Sequence, residues 1–274
     1  AICELPEYYP TRTEHRIMER YLPEIAERVG RGAAVIEFGA GSNTKARQLL
    51  AGLDAPVAYV PVEISGEYLH EQAEALRDDF PALSVRPVVA DFTKPFDLPE
   101  HPTQPARNLV FFPGSTIGNF TRDEALELLR VMHTEAKPGG ALLIGVDLIK
   151  DADVLHDAYN DSQGVTAEFN LNALRHLNDA LDADFRLDAF HHEAVYDTRR
   201  QRIEMRLISE CRQAVSIAGQ SIEFDDGEPI ITEYSHKYSI AGFTELAERA
   251  GFVHETVWTD ERKLFSVHFL TVPR

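Results

Sequence analysis

The chain has 274 residues, and its 27 basic and 45 acidic side chains give a formal net charge of −18. This charge repels nucleic-acid phosphates and no basic run exceeds two residues, so we expect no nucleic-acid partner. Two cysteines, Cys3 and Cys211, are too few for a disulfide framework and indicate a reducing compartment. Since no long apolar stretch and no signal-peptide pattern occurs, we expect a cytoplasmic protein with no membrane partner.

The N-terminal stretch predicts an arm followed by a helix. Two prolines within residues 5–14 favour an extended arm. Thr13 is a candidate cap for a helix that ends near Val29, because apolar residues recur at helical spacing over 17–26.

Residues 33–45 form the most informative local pattern, Ala-Ala-Val-Ile-Glu-Phe-Gly-Ala-Gly-Ser-Asn-Thr-Lys. It predicts a buried strand, a tight turn at Gly39 and Gly41, and a helix over 43–53. Glycine permits a sharp turn and leaves space for a ligand against bare backbone. Thr44 stands where a dinucleotide-binding loop has its third glycine, and no phosphate-binding Gly-Lys-Ser/Thr follows. A strand, turn and helix without any ligand is the alternative interpretation.

The hydrophobic-hydrophobic-Glu-x-Gly-x-Gly pattern resembles the first motif of class I S-adenosylmethionine-dependent methyltransferases. A second predicted strand, 58–63, ends in Glu63, where nucleotide-binding α/β folds have a carboxylate for ribose hydroxyls. A third, 85–92, ends in Asp91 and Phe92, which the resemblance assigns to adenine. Each acid could instead be a solvated strand cap.

Two further strands and a loop extend the same pattern. The apolar strand 108–112 runs into the glycine-rich polar loop 113–120, and such loops lie at the ligand-binding carboxyl edge of a parallel sheet. Thr121 and Glu124 have capping-box spacing for a helix that leads to a strand at 141–147.

The last part of the chain completes the sheet. A helix over 239–250 and strands over 252–258 and 265–272 resemble the end of a class I methyltransferase. We therefore predict an α/β fold with a Rossmann-like, mostly parallel seven-stranded sheet.

The pattern between these parts changes after Lys150, which indicates an inserted α+β domain. We predict helices and strands in the order 153–159, 166–181, 202–209, 213–218 and 221–224, with a hairpin turn at Ala218 and Gly219. The predicted domains are a methyltransferase domain, 12–149 with 237–274, and a substrate-binding arm with inserted domain, 1–11 with 150–236.

Five segments together resemble the histidine-specific Nα-methyltransferases of ergothioneine biosynthesis, and they span nearly the whole chain. They are Leu-Pro-Glu-Tyr-Tyr-Pro-Thr-Arg at 5–12, Gly-Ala-Gly-Ser at 39–42, Phe-Pro-Gly-Ser-Thr-Ile-Gly-Asn at 112–119, Gly-Val-Thr-Ala-Glu-Phe-Asn at 164–170 and Thr-Glu-Tyr-Ser at 232–235. The resemblance implies three methylations of the α-amine of L-histidine, giving hercynine. S-adenosylmethionine is the implied donor. We expect a monomer, and a chain that lacks an N-terminal segment of some tens of residues.

The resemblance also implies a role for individual residues. The catalytic pair would be Asn119 and Tyr159, which hold the α-amine and carboxylate. The remaining substrate residues would be Gly114 and Thr116 at the amine, Tyr9, Glu233 and Ser235 around the imidazole, and Met205 as an apolar neighbour. The donor would be held by Gly39, Gly41, Lys45, Glu63, Asp91 and Phe92. We assign no metal ligands.

Several alternatives stay open from the sequence. Tyr159 could be a helix-packing tyrosine, Met205 a core residue and Asn119 a helix cap. A methyltransferase for another aromatic amino acid, such as a tryptophan derivative, would use the same fold, although Glu233 and Ser235 favour histidine. A module that binds the donor without turnover is a third interpretation, and a dinucleotide oxidoreductase is disfavoured by Thr44.

Overall fold

The computed structural model describes residues 2–100 and 103–274, so Ala1, the first residue of the predicted arm, lies outside the described residues. The chain divides into two compact units. The first, here called the sheet unit, comprises Pro10–Leu148 and Tyr238–Arg274, and the second, the inserted unit, comprises Ala1–Tyr9 and Ile149–Lys237. The boundaries predicted at 12, 150 and 237 each lie one or two residues from these.

The helices and strands alternate along most of the chain. In order they are α1 Tyr9–Val29, β1 Ala33–Phe38, α2 Thr44–Gly52, β2 Ala58–Glu63, α3 Gly66–Asp79, β3 Ser84–Val85, β4 Val88–Val89, β5 Arg107–Phe112, α4 Arg122–Ala136, β6 Ala141–Asp147, α5 Ala152–Tyr159, α6 Val165–Leu181, β7 Phe190–Asp197, β8 Arg202–Ser209, β9 Gln213–Ile217, β10 Gln220–Phe224, β11 Pro229–His236, α7 Ile240–Arg249, β12 Val253–Thr259 and β13 Phe265–Thr271. Short 3-10 helices cover Ile2–Glu4, Thr116–Asn119 and Leu187–Ala189.

The sheet unit contains one large sheet in the order β12-β13-β6-β5-β1-β2-β3, with β4 also paired to β2. Strands β1 to β6 pair in parallel, while β13 runs antiparallel to both β6 and β12. The predicted mostly parallel α/β sheet is confirmed. The third strand differs from the prediction, because Arg86 and Pro87 divide it into β3 and β4. Proline has no N–H to donate to a neighbouring strand.

The central strands are apolar on both faces, as expected for a parallel sheet covered by helices on each side. Alternate residues of a strand point to opposite faces, so Ile36 and Phe38 belong to one buried cluster and Val35 to another. Every residue of β1 and β6 is buried. This burial fixes the strand register and therefore the positions of the loops at the carboxyl ends.

The predicted start of α4 agrees with the structure, whereas the predicted start of α1 does not. Thr121 and Glu124 form the predicted capping box at the start of α4. The extended arm predicted over 5–14 with a cap at Thr13 is wrong, since α1 already begins at Tyr9. Pro10 lies in the first turn of that helix, where a missing N–H needs no helical partner.

The inserted unit has its own sheets and core. β7, β8 and β11 form an antiparallel sheet with β8 in the middle, and β9 pairs with β10. The core comprises Leu174, Phe185, Phe190, Leu207, Val215 and Phe224. The predicted turn is present, with positive φ angles of 50° at Ala218 and 77° at Gly219, as two-residue hairpin turns require. Strands β7 and β11 were not predicted, because their mixed polar sequence and partial exposure obscure the alternation.

Within residues 2–100 and 103–274, no helix is both long enough and apolar enough to cross a membrane.

Candidate active site

The turn after β1 is held in a conformation that suits glycine. Gly39 has a φ of +70°, and the N–H groups of Gly39 and Ala40 donate to the carbonyl of Val62 at 2.9 and 3.1 Å. A Cβ at position 39 would lie 3.3 Å from the ring of Phe92. At Gly41 an added Cβ would meet no atom within 4 Å. The turn therefore presents bare backbone beside an aromatic ring, and it joins two of the predicted donor residues.

Glu63 and Asp91 lie at the ends of adjacent strands. Glu63 pairs in register with Val89 and accepts a hydrogen bond from the N–H of Ile64 at 2.8 Å. Asp91 accepts from the N–H and hydroxyl of Thr93 at 3.1 and 2.6 Å and pairs with Lys94 at 2.7 Å. The bond from Lys94, followed by those from Thr93, lowers the pKa of Asp91 to about 2. Asp91 is therefore ionised, and its bonds to Thr93 and Lys94 hold its own loop in place. An adenine bound to Asp91 would have to share a carboxylate oxygen with these two residues.

Glu14 is a buried acid that no local sequence pattern marks as a site residue. Its side chain is 2% exposed and forms an ion pair with Lys45. Its two oxygens also accept from the N–H of Gly114 at 2.9 and 3.0 Å. A Cβ at Gly145 would overlap Glu14 Oε1. One carboxylate therefore joins α1, the start of α2 and the loop after β5.

Glu37 is a second buried acid in the sheet unit and lies directly before the glycine turn. The Tyr59 hydroxyl donates to its carboxylate. Burial raises the pKa of Glu37 to about 7, and the bond from Tyr59 and the charge of Lys45 oppose that rise. Since Glu37 is only 3% exposed, its carboxylate is enclosed by protein beside the Tyr59 hydroxyl.

The loop after β5 contains the other predicted residues of the sheet unit. Gly114 and Ser115 have positive φ angles of 83° and 58°, and the N–H of Asp147 donates to Ser115 Oγ at 2.8 Å. Thr116 donates to the Pro113 carbonyl at 3.3 Å. Asn119 is exposed and ends the short 3-10 helix. The residue that caps α4 is Thr121, so capping of that helix does not explain Asn119.

A cavity of about 640 Å³ lies within the inserted unit. Its lining includes Tyr159, Met205 and Glu233, three of the predicted substrate residues, together with Tyr8 and Phe169. Met205 and Glu233 are neighbours because they pair across β8 and β11. Burial raises the pKa of Glu233, and the charge of Lys237 partly offsets that effect. The cavity combines two carboxylates, those of Glu233 and the exposed Glu168, with thioether and aromatic surface.

The other predicted residues of this unit lie in hydrogen-bond networks. Ser235 Oγ is 2.8 Å from the Tyr159 hydroxyl. Lys237 Nζ donates to both, at 2.8 Å to Ser235 and 2.9 Å to Tyr159. Tyr9 accepts from Lys150 at 2.6 Å, and it is Tyr8 that lines the cavity, with its ring 6.1 Å from that of Tyr159. Tyr159 therefore packs through its ring and bonds through its hydroxyl.

Sequence reasoning missed Glu14, Tyr8 and Lys237. Glu233, Ser235 and Lys237 alternate, and residues two apart share one face of a strand. Recognition of β11 in the sequence would have placed Lys237 beside the other two. Glu14 offered no local signal, since its partners come from distant parts of the chain.

The predicted site residues fall into two groups. The sheet unit contains Gly39, Gly41, Lys45, Glu63, Asp91, Phe92, Gly114, Thr116 and Asn119, and the inserted unit contains Tyr9, Tyr159, Met205, Glu233 and Ser235.

A parallel sheet with a glycine turn after β1, an acid at the end of β2 and a final antiparallel strand defines a class I S-adenosylmethionine-dependent methyltransferase. The residues present fit that donor: bare backbone at Gly39 leaves space for it, Lys45 matches a carboxylate and Glu63 matches ribose hydroxyls. Among solved structures, the CcbJ methyltransferase from Streptomyces caelestis has a TM-score of 0.55 and 17% identity, covering 93% of this chain and 95% of its own.

The chain belongs to the family described as histidine-specific methyltransferase, SAM-dependent, which it matches over residues 1–272. A histidine N-alpha-methyltransferase from Mycobacterium tuberculosis is 37% identical over 265 residues, covering 95% of this chain and 81% of the relative. Ergothioneine biosynthesis protein 1 from Neurospora crassa is 29% identical and covers the whole chain but only 31% of that relative. The predicted family resemblance is confirmed.

The first testable prediction concerns the turn at Gly39. Gly39→Val should abolish measurable binding of S-adenosylhomocysteine, because a branched side chain would strain the left-handed backbone and press on Phe92. Calorimetry on the folded variant measures this. Gly41→Ala is the matched control for stability, since its Cβ meets no protein atom. Unchanged affinity in Gly39→Val would disprove the assignment of this turn to the donor.

The second prediction concerns Glu14. Glu14→Gln should lower the free energy of unfolding by about 2–3 kcal/mol, because Lys45 loses its counter-ion and an amide hydrogen faces another donor. It should also weaken S-adenosylhomocysteine binding. Glu261→Gln is the control, as that acid pairs with Arg20 on the exposed surface, where such pairs contribute little. Equal denaturation midpoints for the two variants would contradict the role given to Glu14.

Proposed function

We propose that the protein transfers a methyl group from S-adenosylmethionine to the α-amino nitrogen of L-histidine. The observation that supports this most directly is the carboxylate of Glu233 in a cavity also faced by Met205 and Phe169. A carboxylate accepts a hydrogen bond from a ring N–H, while thioether and aromatic surface suits the flat faces of an imidazole. The family description and the name of the mycobacterial relative support the same substrate.

The donor supplies, when bound, a methyl group already activated by a sulfonium, so the protein has mainly to align the reactants. We assign donor binding to Gly39, Gly41, Lys45, Glu63, Asp91 and Phe92. In this assignment Lys45 binds the donor carboxylate, Glu63 its ribose hydroxyls and Phe92 the face of its adenine. Glu14 holds Lys45 in place for that contact.

We assign the α-amine and carboxylate of histidine to Asn119 and Tyr159, with the Tyr159 hydroxyl oxygen accepting from the amine and Asn119 donating to the carboxylate. An amide accepts an amine N–H with its oxygen and donates to a carboxylate with its nitrogen. The Gly114 carbonyl and the Thr116 hydroxyl add acceptors for the amine. Acceptors that hold the N–H bonds direct the remaining lone pair of the nitrogen, which is the positioning that this reaction requires.

We further propose three successive transfers, which give hercynine as an intermediate of ergothioneine biosynthesis. The final quaternary ammonium has no N–H to donate, and aromatic faces such as that of Tyr159 accommodate such a cation. The name of the Neurospora crassa relative supports the pathway. Cys3 and Cys211 are free thiols, which supports action in a reducing cytoplasm. A monomeric state remains a prediction.

The alternative substrate is a tryptophan derivative. An indole has one ring N–H and no ring acceptor, so it can satisfy Glu233 but offers no acceptor to the remaining hydroxyl hydrogen of the Ser235–Tyr159 pair. An unpaired buried polar group costs about 1–3 kcal/mol, which disfavours indole at this site.

The direct test of this function is incubation of the protein with S-adenosylmethionine and each of the twenty amino acids, followed by mass spectrometry. We expect mono-, di- and trimethylated histidine as the dominant products. Methylated tryptophan without methylated histidine would favour the alternative, and binding of the donor without any product would indicate a non-catalytic module.

The third prediction concerns Asn119. Asn119→Ala should raise the KM for histidine and lower kcat, each by about tenfold, because the amine loses an aligned partner. Affinity for S-adenosylhomocysteine should stay within about twofold of wild type. Thr121→Ala is the control: it removes the cap of α4 and should lower stability by about 1 kcal/mol without changing the KM. Parallel losses of donor and histidine affinity in Asn119→Ala would show that Asn119 supports the fold.

The fourth prediction concerns selectivity. Glu233→Ala should lower kcat/KM for histidine by about tenfold or more but change that for tryptophan much less, since only the imidazole loses a matched acceptor. The ratio of the two specificity constants is the measured quantity. Glu168→Ala is a suitable control, because Glu168 is an exposed acid that lines the same cavity from α6. A constant ratio in Glu233→Ala would mean that Glu233 does not recognise the ring.

A further inference from the structure

Lys237 is a fully buried lysine at the end of β11. Its exposed fraction is 0%, and its backbone N–H donates to the carbonyl of Gln201 at 2.7 Å, which continues the pairing between β11 and β8. A buried ammonium is costly unless polar partners surround it. The partners of Nζ include the Tyr159 hydroxyl and Ser235 Oγ. Two residues predicted to bind substrate therefore share one lysine.

The number of hydroxyl hydrogens on Tyr159 and Ser235 limits how this cluster can bond to a ligand. An ammonium group only donates, so both hydroxyl oxygens accept from Lys237. Tyr159 and Ser235 lie 2.8 Å apart, and one hydroxyl must donate to the other. Each hydroxyl has one hydrogen, so the pair keeps a single hydrogen for a third group. In the presence of Lys237 the pair acts toward a ligand as a donor.

We take Ser235 as the hydroxyl that keeps this hydrogen, because Ser235 shares a face of β11 with Glu233, while Tyr159 is the member of the pair that lines the cavity. Glu233 and Ser235 lie two residues apart on one face of β11, and Glu233 lines the cavity. When Tyr159 donates to Ser235, both lone pairs of Ser235 Oγ are occupied, by Tyr159 and Lys237, and its hydrogen remains. A neutral imidazole has one N–H and one acceptor nitrogen. Glu233 can accept from the first and Ser235 can donate to the second.

We propose that Lys237 is a positioning residue that fixes Ser235 as a hydrogen-bond donor and so makes the site selective for a ring with an unprotonated nitrogen. Lys237 acts through Ser235 and Tyr159 and needs no contact of its own with the substrate. The proposal rests on the proposed function, in which histidine is the substrate.

The test compares histidine with 3-(pyrrol-2-yl)alanine, whose ring has an N–H but no acceptor nitrogen. Lys237→Met removes the charge while keeping a long unbranched side chain. It should raise the KM for histidine roughly ten- to hundredfold, because a hydrogen bond fixed by a charged group is lost. The histidine-to-pyrrole ratio of kcat/KM should fall by about tenfold. Arg212→Met, which removes an exposed cation from the same unit, should leave that ratio unchanged.

Ser235→Ala provides an independent comparison that does not require Lys237→Met to fold. It removes the donor itself and should lower the same ratio by a similar factor. In the Ser235→Ala background, Lys237→Met should have less than about a threefold further effect, since the two residues act through one hydrogen bond. A merely structural lysine would lower activity on both substrates equally in either background.

The outcomes separate the two proposals. If the wild-type protein does not methylate histidine, the proposed function is wrong. If the wild type is active but the ratio is unchanged in both Lys237→Met and Ser235→Ala, only the role of Lys237 is overturned. A lowered ratio in both variants, with no additivity between them, supports the inference.

Discussion

The buried ion pair of Glu14 and Lys45 is the interaction on which the proposed donor-binding segments depend. The carboxylate also accepts the backbone N–H of Gly114, so it links a helix, a helix start and a strand-end loop. Breaking a buried ion pair leaves an uncompensated charge, which is why such a contact holds its segments firmly once formed. The parallel strands bring the loops at their carboxyl ends to one edge of the sheet. Glu14 then fixes the loop at Gly114 relative to the start of α2.

The cavity of the inserted unit has a different physical requirement. In the proposed function, its cavity has to combine apolar surface for a flat ring with polar groups that stay bonded when the ring is absent. Ser235 and Tyr159 satisfy each other and Lys237, so the polar groups are paired before a ligand arrives. Glu233 has no such cluster around it in the described residues, and burial disfavours its charged form and so raises its pKa. In the proposed function, a ring N–H donated by the substrate to Glu233 offsets that cost.

The sequence predicted the sheet unit well because its signals are local. Apolar runs, glycine turns and the capping box at Thr121 each act over a few residues. The inserted unit was harder to predict: β7 and β11 are partly exposed, and their alternation is hidden among polar side chains. The candidate site residues also divide into those with a local sequence signal and those without one. Family motifs suggested Glu233 and Ser235 as site residues, whereas the contacts of Lys237 and Glu14 become recognisable only when strand pairing and distant contacts are known.

The glycine at position 145 has a consequence for how this sequence can change. It lies on β6, and an added Cβ would overlap the carboxylate of Glu14, so the absence of a side chain at one position makes room for the acid at the other. The two positions should therefore vary together. A related chain with alanine at this point of β6 would need a shorter acid, such as aspartate, on its first helix. A side chain at position 145 without a change at position 14 would place two atoms in the same space, although the two residues are far apart in the chain.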